Sequence, residues 1–125
     1  MGDRDMMSGC ITTHILDLAQ GLPAGGIEVE LWRLVPQREP YRVCKCRTGP
    51  DGRPPQPLSE GHAIETGEYE IVLHTKAYYA ATGGLFSAET IFPVARVRFH
   101  INDPSQHYHI PVLITPSSFT AYRGS

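Results

Sequence analysis

The 125-residue sequence predicts an all-β fold: a β-sandwich of about seven to eight short strands with one short helix. Three observations point there. Eleven prolines and twelve glycines cut the chain into short pieces, which favours strands over helices. Several of those pieces alternate apolar and polar residues with period two, the pattern of a strand with one face buried. A single segment, "KAYYAATGG", reads as a helix, Ala-rich and stopped by Gly83-Gly84.

The elements follow in order. "CITTHILDL" is β-branched and apolar, a first strand that ends at the Gly/Pro loop "AQGLPAGG". In "IEVELWRLV", Ile27, Val29 and Leu31 face one way and Glu28 and Glu30 the other. "YRVCKCRT" alternates too and runs into the turn-rich "GPDGRPPQPL", where Asp51-Gly52 is a strong turn dipeptide. "GEYEIVLHT" places Tyr69, Ile71 and Leu73 on one face, and "VARVRFHI" alternates before the turn "NDPSQ". "YHIPVLITP" is apolar on both faces, so it is expected to be central in a sheet or covered by another subunit. "FTAY" forms the last strand.

A chain of this length makes one domain and buries roughly two-thirds of its unfolded surface without disulfide staples. With 41% apolar and 19% charged residues it is expected to fold, and a net charge of −2 offers no basic footprint for nucleic acid. No segment approaches the roughly 18 apolar residues of a membrane span. "MGDRDMMSGC" lacks the apolar core of a signal peptide, so residues 1–9 are expected to be a disordered lead-in to a domain over 10–125 in the cytoplasm. Cys10, Cys44 and Cys46 form no C-x-x-C pair. Cys44 and Cys46 share a strand face and read as buried thiols in a reducing compartment rather than a zinc site.

Six histidines are candidates for chemistry. His62, His74 and His100 read as solvated surface residues, because nothing near them in sequence converges. His14 lies inside an apolar strand, where a hydrogen-bonded core histidine is the ordinary occupant. His107 and His109 stand two apart on a strand and leave the same face. That pair is open to three readings: metal ligands, a proton-transfer pair, or coincidence. Arg53 sits in a loop stiffened by Pro54-Pro55, and Arg123 lies beside Tyr122 near the end of the sequence. A guanidinium suits a planar anionic ligand, and no serine-nucleophile motif or phosphate loop is present.

Taken together, three stretches resemble the transthyretin-related 5-hydroxyisourate hydrolases: "THILDLAQGLPAGGIEVELWRL", the arginine turn "PDGRP", and the closing "HYHIPVLITPSSFTAYRGS". The likeness runs from about Cys10 to Ser125, and the Tyr-Arg-Gly-Ser ending is its specific element. The resemblance implies a transthyretin (prealbumin)-like β-sandwich, assembled as a homotetramer with ligand sites between dimers. It implies cofactor-independent hydrolysis of 5-hydroxyisourate, a step in urate breakdown, to 2-oxo-4-hydroxy-4-carboxy-5-ureidoimidazoline. It places catalytic roles on His14, Arg53, His109 and Ser125, and substrate binding on His14, Arg53, Tyr122, Arg123 and Gly124. His107 falls in a supporting position, and no metal is implied. The rival expectation is a non-catalytic carrier of small aromatic ligands, which would need neither H-x-H nor the closing tetrapeptide. The sequence departs from the family pattern at Thr115, Phe119, Thr120 and Ala121, leaving every matched polar site residue in place.

Overall fold

Alternation sets the layers. In the computed structural model, which describes residues 9–82 and 90–125, nine strands form two packed sheets. They are β1 (Cys10–Asp17), β2 (Leu22–Pro23), β3 (Glu28–Leu34), β4 (Tyr41–Arg47), β5 (Ser59–Glu60), β6 (Gly67–Leu73), β7 (Ala95–Ile101), β8 (His107–Thr115) and β9 (Ser118–Ala121). Seven of them have four residues or more, and β2 and β5 have two each. The first sheet runs β2-β1-β8-β9 with β5 paired to β1, and the second runs β4-β3-β6-β7. Among the described residues, a single-turn 3₁₀ segment (Gly61–Ala63) and one helix, α1 (Thr75–Ala81), accompany the strands. The predicted helix is thus present, while its predicted stop at Gly83-Gly84 lies outside the described residues.

The inner faces interdigitate as the period-two pattern requires. Ile11 and Ile15 of β1 and Ile110, Val112 and Ile114 of β8 meet Val29 and Leu31 of β3 and Ile71 and Leu73 of β6. Burying each such side chain contributes about 1.5–3 kcal/mol. β8 proves central, flanked by β1 and β9. That explains its two apolar faces within one chain: Pro111, on the outer side, is already buried, and Leu113 is half-buried.

One pairing shapes everything that follows. β1 and β8 are parallel over eight residue pairs, from Cys10↔His107 to Asp17↔Ile114. The other strand pairs described are antiparallel.

At the end of β1, Asp17 is buried, 1% exposed, and ties α1 to the sandwich. Tyr78 and Tyr79 hydroxyls each donate to it at 2.8 Å, and Gln20 Nε2 donates at 2.6 Å. The backbone N–H groups of Ala19 and Gln20 add two more donors. Burial first, then the hydrogen bonds to Asp17, push both phenols above the ordinary tyrosine range, so they remain donors. Removing the carboxylate takes the Asp17 acceptor from two buried hydroxyl donors, at about 1–3 kcal/mol each. Asp17→Ala is therefore expected to lower the unfolding free energy by about 3 kcal/mol or more, measured by urea denaturation. A change under about 0.5 kcal/mol would contradict this anchoring role.

Candidate functional site

The outer face of the first sheet collects the polar residues of β1 and β8. Thr12 and His14 leave β1 on this side, and His107 and His109 leave β8 beside them, as alternation demands. The chain then turns and returns as β9, continuing antiparallel to β8 past its formal end. Tyr122 N–H donates to the Pro111 carbonyl at 3.3 Å, and Gly124 N–H to the His109 carbonyl at 2.6 Å. Tyr122, exposed, and Gly124 thus share the His109 face, and Ser125 follows, exposed. Glycine at 124 leaves the imidazole its place: an added Cβ would lie 2.7 Å from His109 Cδ2 and 3.3 Å from Pro111 Cγ, so a larger residue would displace the ring.

Arg123, between them, is turned to the opposite side. Its guanidinium lies over the Tyr108 ring, 4.2 Å from the centroid, and donates to the His107 carbonyl at 2.8 Å and Gln106 Oε1 at 3.1 Å. In this arrangement Arg123 clasps the closing segment to β8, while Tyr122 and Gly124 border the histidines.

Arg53 arrives on the loop between β4 and β5. Gly52 N–H donates to the Gly49 carbonyl, and Gly49 N–H to the Arg53 carbonyl, closing a tight turn. The turn docks on β1, where Ile15 N–H donates to the Gly52 carbonyl at 2.8 Å. Gly52 has φ +79°, and a Cβ there would sit 2.4 Å from the Ile15 carbonyl oxygen. Gly52→Ala is expected to cost at least the roughly 1–3 kcal/mol of a strained backbone position and to displace Arg53. Thermal unfolding that matched the unsubstituted chain would show that this docking is not needed.

The loop also grips a histidine. His14 Nε2–H donates to the Asp51 carbonyl at 2.9 Å; a carbonyl only accepts, so His14 carries a proton on Nε2. His109 is held from β1 instead, its Nδ1 lying 2.8 Å from Thr12 Oγ1. Burial first, then the positive charge of Arg53 and the neighbouring His14, hold the His109 pKa below the ordinary imidazole value. His14 and Arg53, both remote from His109 in sequence, thus act on its ring here. A hollow of about 200 Å³ lined by Thr12, Thr13, Arg53 and Pro54 to Pro57 lies alongside. His107 stands one step further along β8, with Cys10 Sγ 2.9 Å from its Nδ1.

Elsewhere the sequence expectations are partly corrected. His74 is not a solvated surface residue: its Nε2 lies 2.7 Å from Glu30 Oε2, and Trp32 Nε1–H donates to the other oxygen. Burial acts to raise the Glu30 carboxyl, but these two hydrogen bonds together with the charges of His74 and Arg42 outweigh it and leave its pKa lowered. The contact crosses from β3 to the residue after β6, a proximity that strand register creates and local sequence does not reveal. Glu28, Glu30 and His74 form the one group of three metal-capable side chains among the described residues. Their atoms are already engaged, Glu28 by Lys45 and Arg47 and Glu30 by Trp32 and His74. His14, His107 and His109 make no such group. His62 and His100 are exposed, as expected, with His100 Nδ1 3.9 Å from Glu68. Cys44 and Cys46 are half-buried free thiols; burial pushes Cys44 up to about 11 and raises Cys46. A larger hollow of about 640 Å³ opens beside Arg33, Pro36, Arg98 and His100, on the other sheet and away from the histidine pair.

Thr12 and Asp51, the two groups that hold the imidazoles, were missed by sequence reasoning. Thr12 carries a faint signal, standing two residues before His14 and so on its face; Asp51 acts through its backbone and carries none.

Comparison with known proteins finds relatives along nearly the whole chain. The profile of the HIUase/Transthyretin family matches residues 11–124. The 5-hydroxyisourate hydrolase of Halalkalibacterium halodurans is 40% identical over 119 residues, covering 95% of this chain and all of that one. Among solved structures, Klebsiella pneumoniae 5-hydroxyisourate hydrolase superposes with a TM-score of 0.75 at 33% identity, covering 94% of this chain and 99% of that one. (S)-allantoin synthase superposes with a TM-score of 0.86 at 35% identity over 94% of this chain, which spans 44% of that longer one. Sea bream transthyretin, 23% identical with a TM-score of 0.74, covers 91% of this chain and 93% of its own, and shares the fold.

Proposed function

The chain belongs to the HIUase/Transthyretin family, and on that premise we propose that His14, Arg53 and His109 form its catalytic centre. The activity is that of a hydrolase on 5-hydroxyisourate, in urate breakdown. Relatives bearing that name match along nearly their whole length, and the H-x-H pair and closing tetrapeptide, which a carrier would not need, lie together.

The carrying observation is the convergence of two imidazoles and a guanidinium on one sheet face, with His109 held toward its neutral form. A neutral imidazole takes a proton from water as the water oxygen bonds to the ring carbonyl carbon. Negative charge then grows on the carbonyl oxygen, where the Arg53 guanidinium stabilises it. The ring C–N bond breaks, and the nitrogen takes back the proton from the imidazolium. His14 commits its Nε2 proton to Asp51, which leaves its other nitrogen to serve the water or the substrate. Tyr122, Gly124 and Ser125 border the heterocycle, and Arg123 keeps that wall in place through Tyr108 and His107.

A small-molecule site open on one face fits a homotetramer in which partner copies cover that face. Exposed Leu18 and Tyr122 support such a contact. The domain is taken as residues 10–125, and three free thiols suit a reducing cytoplasm. Among the described residues, no helix is long and apolar enough to cross a membrane.

The test is ultraviolet spectroscopy on 5-hydroxyisourate generated in place from urate by urate oxidase. Added protein is expected to speed loss of the intermediate above its spontaneous decay. Unchanged decay with folded protein would overturn the hydrolase reading and favour a ligand carrier.

A further inference from the structure

We propose that Thr12 is a positioning residue of this centre: its hydroxyl accepts the Nδ1 proton of His109 and leaves Nε2 bare toward the substrate. The inference rests on His109 serving as the base.

The geometry begins with register. In the parallel pairing of β1 and β8, Thr12 stands directly opposite His109, and both side chains leave the outer face. Thr12 Oγ1 reaches His109 Nδ1 at 2.8 Å, a good hydrogen-bond distance. Threonine is branched at Cβ and stiff at χ1, so its oxygen stays where the strand puts it. One step along the same ladder, Cys10 stands opposite His107 and meets that ring at Nδ1 too, at 2.9 Å. β1 thus holds both imidazoles of the H-x-H pair by the same nitrogen, which orients both Nε2 atoms away from the contact.

A hydroxyl can donate or accept, and the surroundings decide which. The nitrogen of His109 left open is Nε2. Arg53 and His14 both act electrostatically on this ring. A cation favours a lone pair over an N–H on the nitrogen left open to it. The proton then belongs on Nδ1, with Thr12 as acceptor, which is also the tautomer that water activation requires. Thr12 lines the hollow beside Arg53, into which its own O–H is free to turn. His14 is held in the complementary way, with Nε2–H on the Asp51 carbonyl and Nδ1 available. The two histidines therefore present opposite nitrogens, each fixed by a partner on the other side of its ring.

Nitrogen-15 NMR on histidine-labelled full-length chain, above the His109 pKa and without substrate, reads the tautomers directly. His109 is expected as Nδ1–H, with His14 as Nε2–H for internal contrast. Thr12→Val, close in shape, is expected to release His109 toward Nε2–H and lower kcat about 10- to 100-fold with KM little changed. Thr12→Ser, which keeps the hydroxyl, is expected to preserve the tautomer and most of kcat. A wild-type His109 carrying its proton on Nε2 would overturn the proposal even if Thr12→Val failed to fold. So would a folded Thr12→Val chain with unchanged tautomer or unchanged kcat. If the wild-type chain accelerated no hydrolysis, the catalytic reading would fall while the tautomer spectrum still decided the role of Thr12.

Discussion

His109→Gln is expected to lower kcat for 5-hydroxyisourate by about 10²–10⁴, with the chain still folded. The ring is half-buried between Thr12 and Gly124, and glutamine is close enough in size to keep the His109 carbonyl in place for Gly124 N–H. What is lost is a titratable nitrogen, and the loss falls on the proton-transfer step rather than on binding. The pH dependence of the unsubstituted chain carries the same assignment. Burial, Arg53 and His14 lower the His109 pKa below the ordinary value of 6.5. A base must be unprotonated, so activity persists as pH falls through that value and declines only below it. Moving either the burial or the charge outward shifts the acidic limb back up. Full activity in folded His109→Gln, or an acidic limb above 6.5, would remove His109 from the base role.

Arg53→Gln is expected to cost about 10²–10³ in kcat, the range for losing one preorganised donor at a developing oxyanion. A second effect separates charge from contact. Arg53 lowers the His109 pKa, so its removal is expected to raise that pKa and move the acidic limb of the rate profile upward. Arg53→Lys keeps the charge and loses the planar fork, and should restore the limb better than the rate. The loop itself is held by backbone hydrogen bonds from Gly49, Gly52 and Ile15, none of which involves the guanidinium, so the variant is expected to fold. A rate profile that falls without any shift would mean that Arg53 grips substrate but does not tune His109.

Much of this protein is written locally. Alternation in "IEVELWRLV", "GEYEIVLHT" and "VARVRFHI" names the strands and their buried faces, because a half-buried strand can satisfy water and core only with period two. The Asp51-Gly52 turn, the H-x-H pair and the closing Tyr-Arg-Gly-Ser are legible for the same reason: turn chemistry and side-chain direction depend on near neighbours. What the sequence does not hold is which strands meet. The parallel register of β1 and β8 brings Thr12 to His109 across 97 positions, and the return past β9 brings Gly124 to the same ring. Arg123 looked like a ligand-facing cation from its position beside Tyr122, yet strand alternation beyond β9 turns it onto Tyr108. His74 looked exposed, yet register hands it to Glu30. Asp17 gave no sign, because its five donors come from the following turn and from a helix some 60 residues away. Residue type and spacing determine local conformation and the chemistry on offer, whereas long-range pairing, set by the joint burial of two sheets, decides which groups share a proton.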